Sequence, residues 1–112
     1  MESNKTIEAR IAEQVKASPI VMYVKGSPQF PMCGFSKGVM DVFRHIGVPF
    51  QTVDVLEDPE VREGIKKYTN WPTIPQVFVN GEFIGGFDIV RDLYERGELE
   101  PMVKKAAGTT KA

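Results

Sequence analysis

Residues 71–86 read Trp71-Pro72-Thr73-Ile74-Pro75-Gln76-Val77-Phe78-Val79-Asn80-Gly81-Glu82-Phe83-Ile84-Gly85-Gly86, and this stretch decides the fold. Residues 76–79 and 82–84 are short β-branched and aromatic runs, and Asn80-Gly81 between them is the pair that a tight two-residue hairpin turn demands. Two antiparallel strands are expected here. The prolines of residues 71–75 make the segment ahead of them a rigid connector. Behind the hairpin, Gly85-Gly86 ends the second strand, and Asp88 is suited to cap a helix carrying Ile89, Val90, Leu93 and Tyr94. A further short helix follows, and residues 107–112 are expected to form a flexible tail.

Working towards the N-terminus, Asp58-Pro59 has the cap-then-proline order of a helix start, with Val61, Ile65 and Tyr68 on the inward face. Residues 48–55 alternate as a strand. Phe35, Val39, Phe43 and Ile46 recur with helical spacing, so a helix starts close to Cys33 and stops at Gly47. Ile20-Val21-Met22-Tyr23-Val24 is an unbroken apolar run, the pattern of a strand buried on both faces and hence of the centre of the sheet. Residues 4–17, with Ile7, Ile11 and Val15 every four positions, form an amphipathic helix that Ser18-Pro19 terminates. The order is helix, strand, helix, strand, helix, hairpin, helix. It predicts an α/β fold with a mixed four-stranded sheet flanked by helices.

At 112 residues there is room for one domain, expected to have its core over about residues 5–106. A content of 42% hydrophobic and 26% charged residues excludes wholesale disorder. Fourteen basic against fifteen acidic residues leave a net charge of -1, which offers no field for nucleic acid. No apolar run approaches the roughly 20 residues that span a bilayer, so no membrane role is expected. With one cysteine in the whole sequence, neither an internal disulfide nor a self-sufficient metal cluster is available. A lone free thiol and no visible targeting segment make a reducing, cytoplasmic setting the expectation.

Cys33 lies where a proline-rich loop enters a helix, so unpaired N–H groups and the positive end of the macrodipole favour its thiolate, a nucleophile and a soft-metal ligand. The alternative is a small buried apolar residue. Lys25 ends the central strand, at the sheet edge where open α/β folds bind ligands; alternatively it is simply solvated. Arg62 and Lys66 share one helix face, either as a solvated basic surface or as a site in which an anion relieves their repulsion. Thr73-Ile74-Pro75 precedes a strand, and a cis bond before Pro75 would turn backbone groups towards an extended peptide; the sequence leaves the isomer open. Gly86, Phe87 and Asp88 place N–H groups and an acid at a helix start, for a carboxylate or an ammonium, or as a plain cap. His45, inside the second helix, reads as a surface or packed histidine. One thiol, three cations, a peptide edge and one acid together suit a small ligand with two carboxylates, an amine and a thiol, and glutathione answers that description.

Cys33-Gly34-Phe35-Ser36, with Lys25 before it and Trp71-Pro72-Thr73-Ile74-Pro75 and Gly85-Gly86-Phe87-Asp88 after it, resembles the single-domain monothiol CGFS-type glutaredoxins over about residues 7–105. The resemblance implies a thioredoxin fold and a glutathione site. In it, Lys25 and Arg62 pair with the glycine-end carboxylate and Lys66 lies close by. Phe35 shapes the pocket, Thr73, Ile74 and a cis Pro75 line the peptide, and Gly86, Phe87 and Asp88 hold the γ-glutamyl end. It further implies that Cys33 is an iron ligand, in a 2Fe-2S cluster bridging a homodimer with one glutathione thiolate per subunit. BolA-like proteins and apo iron-sulfur proteins are the implied partners. Such a cluster wants four thiolates; one chain offers one, and two chains with two glutathiones supply them all. Phe87 departs from the many relatives with cysteine there, which removes a resolving thiol. The competing function is a glutathione-dependent thiol-disulfide oxidoreductase in which Cys33 alone attacks glutathionylated proteins.

Overall fold

The computed structural model describes residues 6–108. Its elements in order are α1 (Ile7–Gln14), β1 (Ile20–Val24), α2 (Gly34–Ile46), β2 (Gln51–Asp54), α3 (Pro59–Thr69), β3 (Gln76–Val79), β4 (Glu82–Gly85), α4 (Phe87–Glu95) and α5 (Leu99–Ala106). The sheet order is β2-β1-β3-β4. β1 runs parallel to β2 and antiparallel to β3, and the hairpin adds β4 antiparallel. The expected mixed four-stranded sheet is therefore present, with β1 second from one edge.

All five residues of β1 are buried because the sheet is covered on both faces. Ile20, Met22 and Val24 point to one side, where they meet Val39, Met40 and Phe43 of α2, Val90 of α4, and Leu99 and Val103 of α5. Val21 and Tyr23 point to the other, against Ile11 of α1, Val61 and Ile65 of α3, and Phe78 of β3. The two layers thus follow from the period-2 alternation of one strand. Tyr23 is fully buried, and its hydroxyl donates to Gln14 Oε1 at 2.8 Å.

Several boundaries differ from the sequence reading. α1 is shorter than expected: residues 15–18 continue as turns, and residues 4 and 5 lie outside the described residues. β2 covers only Gln51–Asp54, with Val48, Pro49 and Phe50 outside the ladder. Phe35, Tyr68 and Ile89 occupy periodic positions yet are exposed, at 60%, 40% and 41%. Two of them, Phe35 and Ile89, line the cleft described below, while Tyr68 lies tilted against Phe78. Ala107 is the C-cap of α5 and packs against the core; residues 109–112 of the expected tail lie outside the described residues.

Candidate functional site

The sheet ends at a cleft of about 530 Å³ between the two helical layers, within the range of small-molecule sites. Lys25, Cys33, Phe35, Arg62, Lys66, Thr73, Ile74, Pro75, Gly86, Phe87 and Asp88 all line it. Every residue singled out from the sequence for binding is therefore brought to one place. Trp71, Pro72 and Ile89 complete the walls. These three were missed because residues 71–72 read as a connector and Ile89 as a core position. The proximity of Trp71 to Thr73 in the chain was the available signal.

The thiol is positioned by the end of β1 and the start of α2. Lys25 N–H donates to Ser36 Oγ at 3.0 Å, and Lys25 carbonyl accepts from Met32 N–H at 2.9 Å, so strand end, loop and helix start are clamped together. Gly26 N–H donates to Asp54 Oδ1 at 3.0 Å, tying the loop to the end of β2. Gly26 has φ 94°, and a Cβ there would lie 2.6 Å from Met32 N, so only glycine fits this close turn. Arg44 of α2 holds the outer side of the loop through the Pro28 carbonyl.

Cys33 is the N-cap of α2 with extended backbone, and it is partly exposed. Its sulfur makes no capping hydrogen bond as a thiol. Burial raises its pKa, but the N–H groups of Ser36 and Phe35, the Ser36 hydroxyl and the charge of Lys25 together outweigh burial and hold the thiol below its ordinary value. The helix start thus favours the anion, as the sequence predicted.

Cations gather on the α3 side. Arg62 and Lys66 stand one turn apart on α3, and Lys66 Nζ makes a long 3.8 Å pair with Glu63. Arg62 Nε is buried without a hydrogen-bond partner. A second hollow of about 410 Å³ adjoins the cleft and shares Lys66, Trp71 and Pro72 with it.

The α4 side carries the acid and an aromatic wall. Asp88 does not cap α4: the helix begins two residues earlier than expected, Gly86 is the N-cap, and Asp88 lies exposed in the first turn. The reason is that Gly86 already adopts the extended cap conformation and Phe87 is helical. Gly86 offers the first N–H groups no side-chain cap, and the acid stands in the first turn, favourable to the macrodipole. Phe87 tilts against Phe35 at 5.7 Å between centroids, carries the Arg91 guanidinium 5.4 Å from its ring, and lies over Gly38. A Cβ on Gly38 would be 2.5 Å from Phe87 Cε1.

The floor is held by a buried amide. Gln76 is fully buried at the start of β3; its Nε2 donates to the carbonyls of Trp71 at 3.0 Å and Thr73 at 3.1 Å, and its Oε1 accepts from the Thr69 hydroxyl at 2.9 Å. The connector is thereby fixed to the end of α3. The Ile74–Pro75 bond is cis, the isomer the sequence left open. His45 is outside the cleft, exposed on α2, with its ring edge-on to Tyr94. Among the described residues no cluster of three His, Cys, Asp or Glu side chains is placed to hold a metal ion, and no helix is long and apolar enough to cross a membrane.

Comparison with known proteins agrees with this architecture. The glutaredoxin family model matches residues 20–84. The chain is 50% identical to an uncharacterized monothiol glutaredoxin, ycf64-like, of Synechocystis over 92% of this chain and 96% of that protein. It is 45% identical to glutaredoxin 4 of Escherichia coli, over 96% of this chain and 92% of that protein. A buckwheat glutaredoxin solved in complex with glutathione superposes with a TM-score of 0.80 at 25% identity, covering 89% of each chain. An identity of this size sustained along nearly the whole length, on a matching mixed sheet, leaves one conclusion: the chain belongs to the glutaredoxin family.

Proposed function

We propose that the chain binds glutathione in the Cys33 cleft and uses it to carry a 2Fe-2S cluster between two subunits for delivery to apo iron-sulfur proteins, in the cytoplasm and with BolA-like proteins as partners. The observation that carries the reading is the joint placement of a thiolate-favouring Cys33, the cationic α3 wall and the acid-bearing α4 start around one cleft. The glycine-end carboxylate would meet Lys25 and Arg62, with Lys66 close by; Thr73, Ile74 and Pro75 would run along the peptide, and the γ-glutamyl end would meet Gly86, Phe87 and Asp88. The buckwheat relative, whose structure is a glutathione complex, supports the ligand.

The donor set fits the cluster as cargo. One soft thiolate per chain, at the rim of a cleft that takes a second thiol as a small molecule, gives four ligands from two chains and two glutathiones. Half of those ligands are exchangeable, which suits a cluster that is passed on. The residues' own work is to keep Cys33 anionic and to orient glutathione so that its sulfur lies beside Sγ.

A second reading is favoured by the same depressed thiol: Cys33 thiolate attacks the glutathione sulfur of a glutathionylated protein, the protein thiolate leaves, and a second glutathione thiolate then attacks the Cys33–glutathione disulfide, forming glutathione disulfide and regenerating the Cys33 thiolate. Phe87 supplies no resolving thiol, so each turnover waits on that second glutathione. Calorimetric titration of glutathione into the apo-protein tests the shared ligand. Arg62→Ala should weaken binding about tenfold, the scale of a charge-assisted contact; unchanged affinity contradicts the anion wall. Brisk reduction of mixed disulfides by apo-protein would favour the enzyme over the carrier.

A further inference from the structure

We infer that Asp54, which does not itself line the cleft, is the positioning residue that fixes the spacing of Lys25 and Arg62 for a glycine-end carboxylate, an inference that rests on the glutathione reading above. The two cations come from separate parts of the chain: Lys25 follows the end of β1, and Arg62 lies in the first turn of α3. Asp54, at the end of β2, receives a hydrogen bond from each side. Its Oδ1 accepts from Gly26 N–H at 3.0 Å and from Leu56 N–H at 2.9 Å. One oxygen atom thereby holds both the residue after Lys25 and the turn that leads into α3.

Both sides transmit the anchor. Gly26 is buried, so its N–H needs a partner within the protein, and its corner has no slack: a Cβ there would lie 2.4 Å from the Phe30 carbonyl oxygen. Lys25 is already tied to Ser36 Oγ and to Met32 N–H, and the bond at Gly26 completes the set that holds its backbone. On the α3 side, Val55 N–H donates to the Val24 carbonyl at 2.9 Å, Glu57 N–H to the Asp54 carbonyl at 3.2 Å, and Arg62 N–H to the Asp58 carbonyl at 3.0 Å. Bonded turns therefore run from Asp54 to the backbone of Arg62. A carboxylate charge by itself would disfavour a second carboxylate nearby; what Asp54 supplies is an acceptor at a fixed place. Because Oδ1 alone makes both bonds, the amide oxygen of asparagine can reproduce them, whereas glutamate keeps the charge but sets the acceptor one methylene farther out.

Calorimetric titration of the reduced apo-protein with glutathione, and with glutathione whose glycine carboxylate is an ethyl ester, measures the preference for a free carboxylate at that end. Asp54→Ala and Asp54→Glu should each cut the preference about fivefold, the scale of one ordinary hydrogen bond, while Asp54→Asn should keep it within about twofold. A wild-type preference retained in Asp54→Ala, even with a lowered urea midpoint, would show that Asp54 supports the fold alone, and it overturns the inference while the glutathione site stands. A loss in Asp54→Asn equal to that in Asp54→Ala also overturns it, because charge rather than placement would then be at work. Wild-type protein that binds glutathione and its ester alike removes the anion wall and this inference with it; wild-type protein that binds neither removes the glutathione reading as a whole. Should Asp54→Ala fail to fold, Asp54→Glu decides.

Discussion

At the scale of the residue, the reactivity of Cys33 is set by a contest. Burial raises its pKa, and the N–H groups of Ser36 and Phe35, the Ser36 hydroxyl and Lys25 lower it further than burial raises it. The thiolate therefore persists to lower pH than in an unstructured peptide. The rate of alkylation by iodoacetamide should inflect below the value of about 8.5 for a free cysteine, and Ser36→Ala and Lys25→Met should each move the inflection upward; a wild-type inflection at the free-thiol value contradicts the account. Gly38 and Phe87 form a second residue-scale pair. Gly38→Ala should cost about 1–3 kcal/mol by crowding the Phe87 ring, and Phe87→Ala should remove most of that cost in the double variant, a coupling that urea unfolding of all four proteins measures. Full additivity would show that the two do not share the space.

At the scale of the element, α3 shows how a cap couples folding to pH. The Asp58 carboxyl accepts from the N–H groups of Glu60 and Val61 and pairs with Arg10 at 2.9 Å. The Val61 N–H is the largest influence; burial opposes it, Arg10 and the Glu60 N–H add to it, and the carboxyl is held below its ordinary value. A depressed carboxyl stabilises the fold fully above its unfolded value of about 3.9 and loses that contribution as pH falls through the lower folded value. Asp58→Ala should cost about 1 kcal/mol at neutral pH, with the partly exposed Arg10 pair adding little. Asp58→Asn should keep most of the cap while flattening the acid side of the stability curve. Urea midpoints between pH 7 and pH 3 are the measurement, and an unchanged acid slope in Asp58→Asn contradicts the assignment.

The elements were legible where one local rule sufficed. The hairpin followed from Asn80-Gly81, the α3 start from Asp58-Pro59, and the two-sided burial of β1 from its unbroken apolar run. Legibility failed where tertiary contacts decide. Phe35 and Ile89 keep helical spacing but face the cleft, a distinction periodicity does not carry. Asp88 has the right chemistry for a cap, yet Gly86 takes that position because the chain turns there without needing a side-chain oxygen. The Gln76 amide is ordinary in sequence; its part emerges only once residues 69–76 fold back on themselves. Gln76→Leu leaves the Trp71 and Thr73 carbonyls without that donor and should cost about 1–3 kcal/mol in urea unfolding, whereas a near-neutral result would mean that the connector holds itself.

At the scale of the whole molecule, the sheet serves as a partition whose end is the site. α3 on one face brings Arg62 and Lys66, α4 on the other brings Phe87 and Asp88, and β1 with the α2 start brings Lys25 and Cys33 between them. One chain lines the cleft but contributes one thiol to it, so the proposed cluster requires a second chain and two glutathiones. The most direct test is anaerobic reconstitution with iron and sulfide, with and without glutathione, followed by size exclusion while visible absorption is recorded. Colour eluting at dimer size only when glutathione is present, and lost in Cys33→Ser, is the result the account predicts. A colourless monomer in both runs, or a coloured dimer that forms without glutathione, would contradict it.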